Sequence, residues 1–252
     1  LSARAAWGEV EVLWASSDAV SHGSFTDVFA PLERVTFLHA GDGHAHELDL
    51  AQWKYDKMTS NPVDDAPDGW TEGYADLRPL PHVQARIDEL RATMGGRYVA
   101  IHARRLDHVT HSVPFGHSTT DQELLDWLQG CTLPVYIATD DPVTLEWFRA
   151  RIPTSSHWHR MPERVHGYEI RPGSLADAVV DMFVCVGAVA FMGSWISSFS
   201  ETIDVLRCGG KPPGGFVPRL HMQSADAEWY RGRQDRADEM IATQRRERGK
   251  CP

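Results

Sequence analysis

The sequence predicts an α/β protein built on parallel strands with helices on both faces of the sheet. Three observations predict it. From about residue 80 onward, short apolar runs alternate with segments of helical period. Each apolar run leads into a loop rich in Gly, Ser, Asp or Arg before the next helix, the pattern of strand–helix units. The composition, 42% hydrophobic and 24% charged over 252 residues, supplies a core for one large domain or two small ones.

The elements follow in order. Ala3, Ala5 and Ala6 favour helix, and Gly8 after Trp7 reads as its stop. Val10, Val12 and Trp14 alternate with Glu9 and Glu11, the period of a strand. A chain that opens on a helix end suggests that an earlier strand and loop are missing. Val35 to Leu38 reads as a second strand, and residues 41–79 as a long irregular connection rich in Gly, Asp and Pro. Val83, Ile87 and Leu90 have helical spacing, and Gly95-Gly96 ends that helix. Tyr98 to Ile101 is a strand running into His102-Ala103-Arg104-Arg105. Thr120 and Glu123 form a capping box before Leu124, Leu125, Trp127 and Leu128. Leu133 to Ala138 is a strand ending at Thr139-Asp140-Asp141-Pro142, followed by a helix with Leu145 and Phe148 inward. Ser174 caps a helix with Leu175, Val179, Met182 and Val186 on one face. Val189 to Met192 is a strand, Gly193 opens a Ser-rich turn, and a helix begins at about Glu201. The stretch from Gln223 to Arg248 reads as a charged, solvated tail.

Charge and length exclude several function classes. A net charge of −10 disfavours nucleic acid as the main partner, since a polyanion requires a basic field. A single nucleotide needs only two or three well-placed cations and stays open. No apolar run is long enough to span a bilayer, the longest candidate being the helix-to-strand unit of Val179 to Phe191. The first residues lack the apolar stretch of a signal peptide. Cys131, Cys185, Cys208 and Cys251 show no paired spacing, so reduced thiols in a cytoplasmic protein are expected.

In such sheets ligands bind beyond the carboxyl ends of the strands. This rule gathers three loops, 102–111, 138–142 and 193–200, into one candidate site. Arg104 and Arg105 offer guanidinium forks suited to a diphosphate. Gly193-Ser194-Trp195-Ile196-Ser197-Ser198 offers hydroxyls and backbone N–H groups at a helix start, a seat for an anion. Asp140 and Asp141 would orient the arginines or hold sugar hydroxyls. Taken singly, each has an ordinary alternative: surface charge for the arginines, helix starts for the other two loops.

The stretch Tyr98-Val99-Ala100-Ile101-His102-Ala103-Arg104-Arg105-Leu106-Asp107 resembles the HxRR-x-D signature of the α1,6-, α1,2- and protein O-fucosyltransferase superfamily. Val135 to Asp141 is similar to its second motif, and Leu175 through Ser200 to its third, in the family's order, over roughly residues 97–207. The resemblance implies a GT-B-like fold of two Rossmann-like halves with parallel sheets. Residues 1–80 would be the acceptor-side half, reduced or truncated, 81–222 the GDP-sugar-binding half, and 223–252 the tail. It implies metal-independent, inverting transfer of fucose from GDP-fucose to a hydroxyl of a glycan or glycolipid, by a cytoplasmic protein or one peripheral to a membrane, with no cofactor. Carried over, Arg104 would bind the β-phosphate and stabilise departing GDP, while Arg105 braces the loop. His102 and Asp181 would contact guanine, Ser197 and Ser198 the diphosphate, and Asp140 and Asp141 would order the pocket. Asp107 and His108 complete the catalytic candidates.

Electrostatics agrees with that transfer. Negative charge builds on the departing diphosphate, and without a metal a bidentate Arg and helix-terminal N–H groups must neutralise it. Two departures stand out. The family's Gly-rich loop with Asn near the N-terminus has no counterpart, and His108 stands where relatives often carry Lys. The general base is open among His108, His111, Asp107 and Glu169. Two other readings are a non-catalytic GDP-sugar-binding domain and a metal-dependent hydrolase. The latter would use Asp42, His44, His46 and Glu47, or His157 and His159. A dehydrogenase is disfavoured because no GxGxxG follows a strand.

Overall fold

The computed structural model describes residues 10–14, 23–39, 72–105, 108–109, 118–152, 174–195 and 197–209. Within them lie two parallel sheets. β1 (Val10–Trp14) pairs with β2 (Val35–His39), Val10 opposite Val35. β3 (Val99–Ala103) lies between β4 (Val135–Thr139) and β5 (Ala190–Gly193), with His102 opposite both Ala138 and Gly193. Parallel neighbours cannot be joined by hairpins, so helices carry the crossovers. These are α1 (Pro81–Thr93), α2 (Asp121–Trp127), α3 (Pro142–Arg149), α4 (Leu175–Gly187) and α5 (Ser198–Arg207). The expected parallel α/β class is the one observed.

β3 and β4 are buried along their whole length, which is why they read as continuous apolar runs and not as alternation. Strand alternation divides the core into two layers. Tyr98, Ala100, Tyr136, Ala138 and Phe191 face α1, α4 and α5. Val99, Ile101, Ala103, Val135 and Ile137 face α2 and α3 through Leu124, Leu145 and Phe148. The first layer extends to Phe25, Val28, Phe29, Leu32 and Leu77, so residues on both sides of position 80 share one core. Phe25 stacks on Phe37 with ring centroids 4.2 Å apart.

The helix ends explain the boundaries. α1 starts on Pro81 and stops where Gly95 and Gly96 take φ of 69° and 71°, a left-handed turn that a side chain resists. Thr120 and Glu123 form the expected capping box of α2. α5 begins at Ser198, earlier than the expected Glu201, because the Ser197 hydroxyl accepts the Ser200 N–H and turns the Ser-rich segment into the first helical turn. Short 3-10 turns at Phe25–Asp27 and Glu72–Asp76 were not foreseen; the second lies inside the connection expected to be irregular. The carbonyls at the end of α4 are satisfied from outside the helix. Tyr98 donates its hydroxyl to the Val184 carbonyl (2.6 Å), Arg91 donates to Phe183 (2.7 Å), and Arg207 donates to Cys185 and Val186 (3.1 Å each). Two guanidinium groups thus sit at the negative end of the helix dipole.

At the other end of α4, Ser174 and Asp177 form a capping box, and Arg86 of α1 donates to Asp177 (2.7 Å). Partial burial works to raise the Asp177 pKa, but the hydrogen bonds from Arg86 and Ser174 and the Arg86 charge outweigh it, so the carboxyl titrates below its ordinary 3.8. A carboxyl depressed on folding stabilises the protein above its unfolded pKa and loses that contribution as pH falls through the folded value. Asp177→Asn is therefore expected to lower stability by less than about 1 kcal/mol at pH 7 and not at pH 2, as read by urea unfolding at both pH values.

Cys185 and Cys208 are free thiols, whereas Cys131 is disulfide-bonded, a departure from the reduced state expected of all four cysteines. No described helix is long and apolar enough to cross a membrane. The expected helix end at 1–8, most of the connection 41–79 and the tail lie outside the described residues.

Candidate functional site

The strand order β4-β3-β5 creates a topological switch point. From β3 the chain moves to one side and forms β4, then crosses back to place β5 on the other side. The helices leaving β3 and β5 pack on opposite faces, α2 on one and α5 on the other. The loops after β3 and β5 therefore part, and a crevice opens at the carboxyl ends of these strands.

His102, Arg104 and Arg105 enter it from β3, Asp140 from β4, and Ser194 and Ser197 from the segment after β5. The carboxylate of Asp140 holds both arginines: Oδ2 pairs with the Arg104 guanidinium, and Oδ1 accepts the Arg105 backbone N–H at 2.7 Å. Ser194 is the second hub. Its hydroxyl accepts the Arg104 backbone N–H (2.9 Å) and Arg105 Nη1–H (3.4 Å), and donates to the His102 carbonyl (3.1 Å). Arg105 Nε donates to Asp121 Oδ1 (2.9 Å), Nη2 pairs with the same carboxylate, and Nη1 donates to the Arg104 carbonyl (2.9 Å). The Arg105 side chain is only 10% exposed and that of Arg104 is 31% exposed, so the two neighbours differ in kind. Arg105 is an internal strut, and Arg104 reaches the surface of the crevice.

The other candidates have defined partners. His102 is buried, with Nδ1 hydrogen-bonded to Ser200 Oγ (2.7 Å) and its ring beside Phe199. His108 Nε2 lies 3.0 Å from the Trp195 carbonyl, which only accepts, so Nε2 carries the proton. Asp141 caps α3, accepting from Val143 and Thr144. Ser197 caps α5, and Ser198 is exposed at its first turn. Asp181 is buried on α4 and accepts the Tyr136 hydroxyl at 2.6 Å. A hydrogen bond to a buried carboxylate stabilises more than a neutral one. Tyr136→Phe is expected to lower stability by about 1.5 kcal/mol in urea unfolding. Burial, then the Asp181 charge, push the Cys185 thiol well above its ordinary 9.0 against an opposing contribution from Arg207, leaving an inert core thiol.

Asp107, His111 and Glu169, and the His-rich segments around His44 and His157, lie outside the described residues. Among the described residues no group of three or more His, Cys, Asp and Glu is gathered to hold a metal ion. Sequence reasoning missed Asp121, Thr119, Tyr136 and Ser200 as members of this network. Asp121 follows the capping Thr120, where an acidic residue already has an explanation in the helix dipole. Thr119 accepts the Trp195 N–H at 2.7 Å, a contact between segments far apart in sequence.

No family model matches the sequence, and no curated protein matches it. Solved structures do. The crystal structure of NodZ α-1,6-fucosyltransferase co-crystallised with GDP aligns over 81% of this chain and 84% of that chain, at 16% identity and a TM-score of 0.50. The same enzyme soaked with GDP-fucose aligns over 81% and 85%, at 17% identity and a TM-score of 0.48. Fucosyltransferase NodZ from Bradyrhizobium aligns over 81% and 85%, at 15% identity and a TM-score of 0.49. With its parallel sheets and switch-point crevice, the chain has the α/β fold of the NodZ fucosyltransferase.

Proposed function

We propose that the chain is a glycosyltransferase that moves a sugar, fucose first among the candidates, from a GDP-sugar to a hydroxyl of a glycan or glycolipid. The observation that carries this reading is the pairing of Arg104 with Asp140 at the end of β3, beside the start of α5. Asp140 fixes the guanidinium in place, and Ser194 ties its loop to the start of α5 by accepting the Arg104 N–H on its hydroxyl and the Ser197 N–H on its carbonyl. The fold shared with an enzyme co-crystallised with GDP supports it.

In this reading the diphosphate lies between Arg104 and the first turn of α5, with Ser198 at its edge. The hydroxyls of Ser197 and Ser200 shape that turn. His102 and Asp181 belong to the layer faced by α4 and α5, where the base would be read. The acceptor oxygen attacks the anomeric carbon as its bond to the β-phosphate oxygen breaks, inverting the configuration. The electron pair leaves on GDP, where Arg104 meets the growing charge without a metal. The acceptor proton passes to a base drawn from Asp107, His108, His111 and Glu169. Residues 1–80 would face the acceptor and 81–222 the donor.

Calorimetric titration with GDP in the presence of EDTA tests this. Micromolar binding, followed by release of GDP from GDP-fucose on addition of acceptor glycans, is the expected result. Absence of GDP binding would overturn it. GDP binding with no turnover of GDP-fucose or GDP-mannose against a panel of acceptors would leave only a binding domain.

A further inference from the structure

We infer that Asp121 is a positioning residue for Arg104, acting through Arg105 and Ser194. This rests on the reading of Arg104 as the group that meets the donor diphosphate.

Arg104 and Arg105 follow the end of β3 side by side, and here the second is used to hold the first. Arg105 Nε and Nη2 both engage the Asp121 carboxylate at the first position of α2. Its remaining nitrogen, Nη1, donates to the Arg104 carbonyl and to the Ser194 hydroxyl. One guanidinium thus joins α2, the end of β3 and the segment after β5. These are the elements that part at the switch point. Ser194 closes the arrangement by accepting the Arg104 backbone N–H while donating to the His102 carbonyl.

The consequence is a preformed loop. Arg104 is partly exposed, and an unsupported arginine would lose rotamer and backbone freedom on meeting an anion. With its N–H, its carbonyl and its guanidinium all engaged by neighbours, much of that ordering is complete before the ligand arrives. The Asp121 carboxylate supplies the charged partner of Arg105, taking two of its three guanidinium nitrogens. Asparagine there would keep the size and one acceptor but remove the ion pair, leaving the strut held only by the bonds of Nη1 to the Arg104 carbonyl and the Ser194 hydroxyl.

The test is the dissociation constant for GDP of wild type, Asp121→Asn, Asp121→Glu, Arg105→Gln and the Asp121→Asn/Arg105→Gln double variant. All are measured at one temperature well below their unfolding midpoints, with circular dichroism confirming the fold. Asp121→Asn is expected to weaken GDP about tenfold, the scale of a small misplacement of a binding group. Asp121→Glu is expected to recover most of that loss, and the double variant to bind no more weakly than Arg105→Gln alone. A purely structural role predicts lower midpoints with unchanged affinity, and that result would overturn the inference. Additive losses in the double variant would overturn it too, since Asp121 would then not act through Arg105. Wild type that binds GDP, with Asp121→Asn unaffected, would sink the inference and leave the proposed function standing. Wild type that binds no GDP would remove both.

Discussion

Arg104→Ala is expected to lower GDP affinity and donor turnover by about a hundredfold or more, some 3 kcal/mol of transition-state stabilisation. The size follows from what the side chain does. The guanidinium is held against Asp140 and still reaches the crevice, so it meets a diphosphate already oriented and partly desolvated. Lysine would not replace it, because a point charge cannot face Asp140 and two phosphate oxygens with one planar fork. The loss should fall mainly on kcat if the contact strengthens as GDP departs, and on KM if it serves substrate and transition state alike. Stability gives the control. The substitution leaves the buried Asp140 carboxylate with the Arg105 N–H and one partner fewer, a cost of about 1–3 kcal/mol that thermal unfolding would register separately. A variant that stays folded and binds GDP as wild type does would refute the proposed function at its centre.

Gly193→Ala is the second large effect, and it acts through backbone proximity. Gly193 ends β5 opposite His102, and the first turn of α5 passes directly over it. A Cβ at this position would overlap the Cβ and Oγ of Ser200 and stand 3.2 Å from the Phe191 ring. Ser200 Cβ is bound to the helix backbone and cannot swing aside, so α5 must shift. That shift would break the hydrogen bond between Ser200 Oγ and His102 Nδ1. The expected result is a loss of about 3 kcal/mol in stability by denaturant unfolding, the upper end for overpacking, with GDP affinity falling alongside. Adding Ser200→Gly should restore part of the stability by removing the overlapping atoms. It should not restore GDP affinity, because the contact with His102 is then gone. Unchanged stability in Gly193→Ala would mean that α5 does not lie against the end of β5 as described.

The fold was legible because its signals are local. Val99 to Ile101 and Val135 to Ile137 are apolar runs bounded by polar loops, and Thr120 and Ser174 stand before helices with Glu123 and Asp177 in place to complete their caps. Periodicity and capping depend on neighbours within a turn, so sequence carries them. Boundaries that depend on one hydroxyl were less legible. The start of α5 was displaced because the helix begins wherever Ser197 can cap it, and a run of serines offers several choices.

The site was legible only as a set of strand ends. Arg104, Arg105, Asp140, Ser197 and Ser198 were gathered by the rule that ligands bind beyond the carboxyl ends of parallel strands. Only the family resemblance told the two arginines apart, with Arg104 toward the diphosphate and Arg105 as a brace. The partners that hold Arg105 in that bracing position were not readable. They are Asp121, which approaches from α2, and Ser194, which comes from beyond β5. The resemblance makes Asp181 a guanine contact, and nothing in the sequence marks it as buried on α4, accepting the Tyr136 hydroxyl of β4.

Sequence alone thus determined the parallel α/β class, the order of its strands and helices, and the segments that converge at their ends. All of these follow from interactions between residues close in the chain. Tertiary structure alone decided the strand order β4-β3-β5, the crevice this order opens, and the partners that hold Arg105 away from it. The physical reason is that a buried charge takes the orientation its long-range partners allow, and those partners meet only when the sheet has formed.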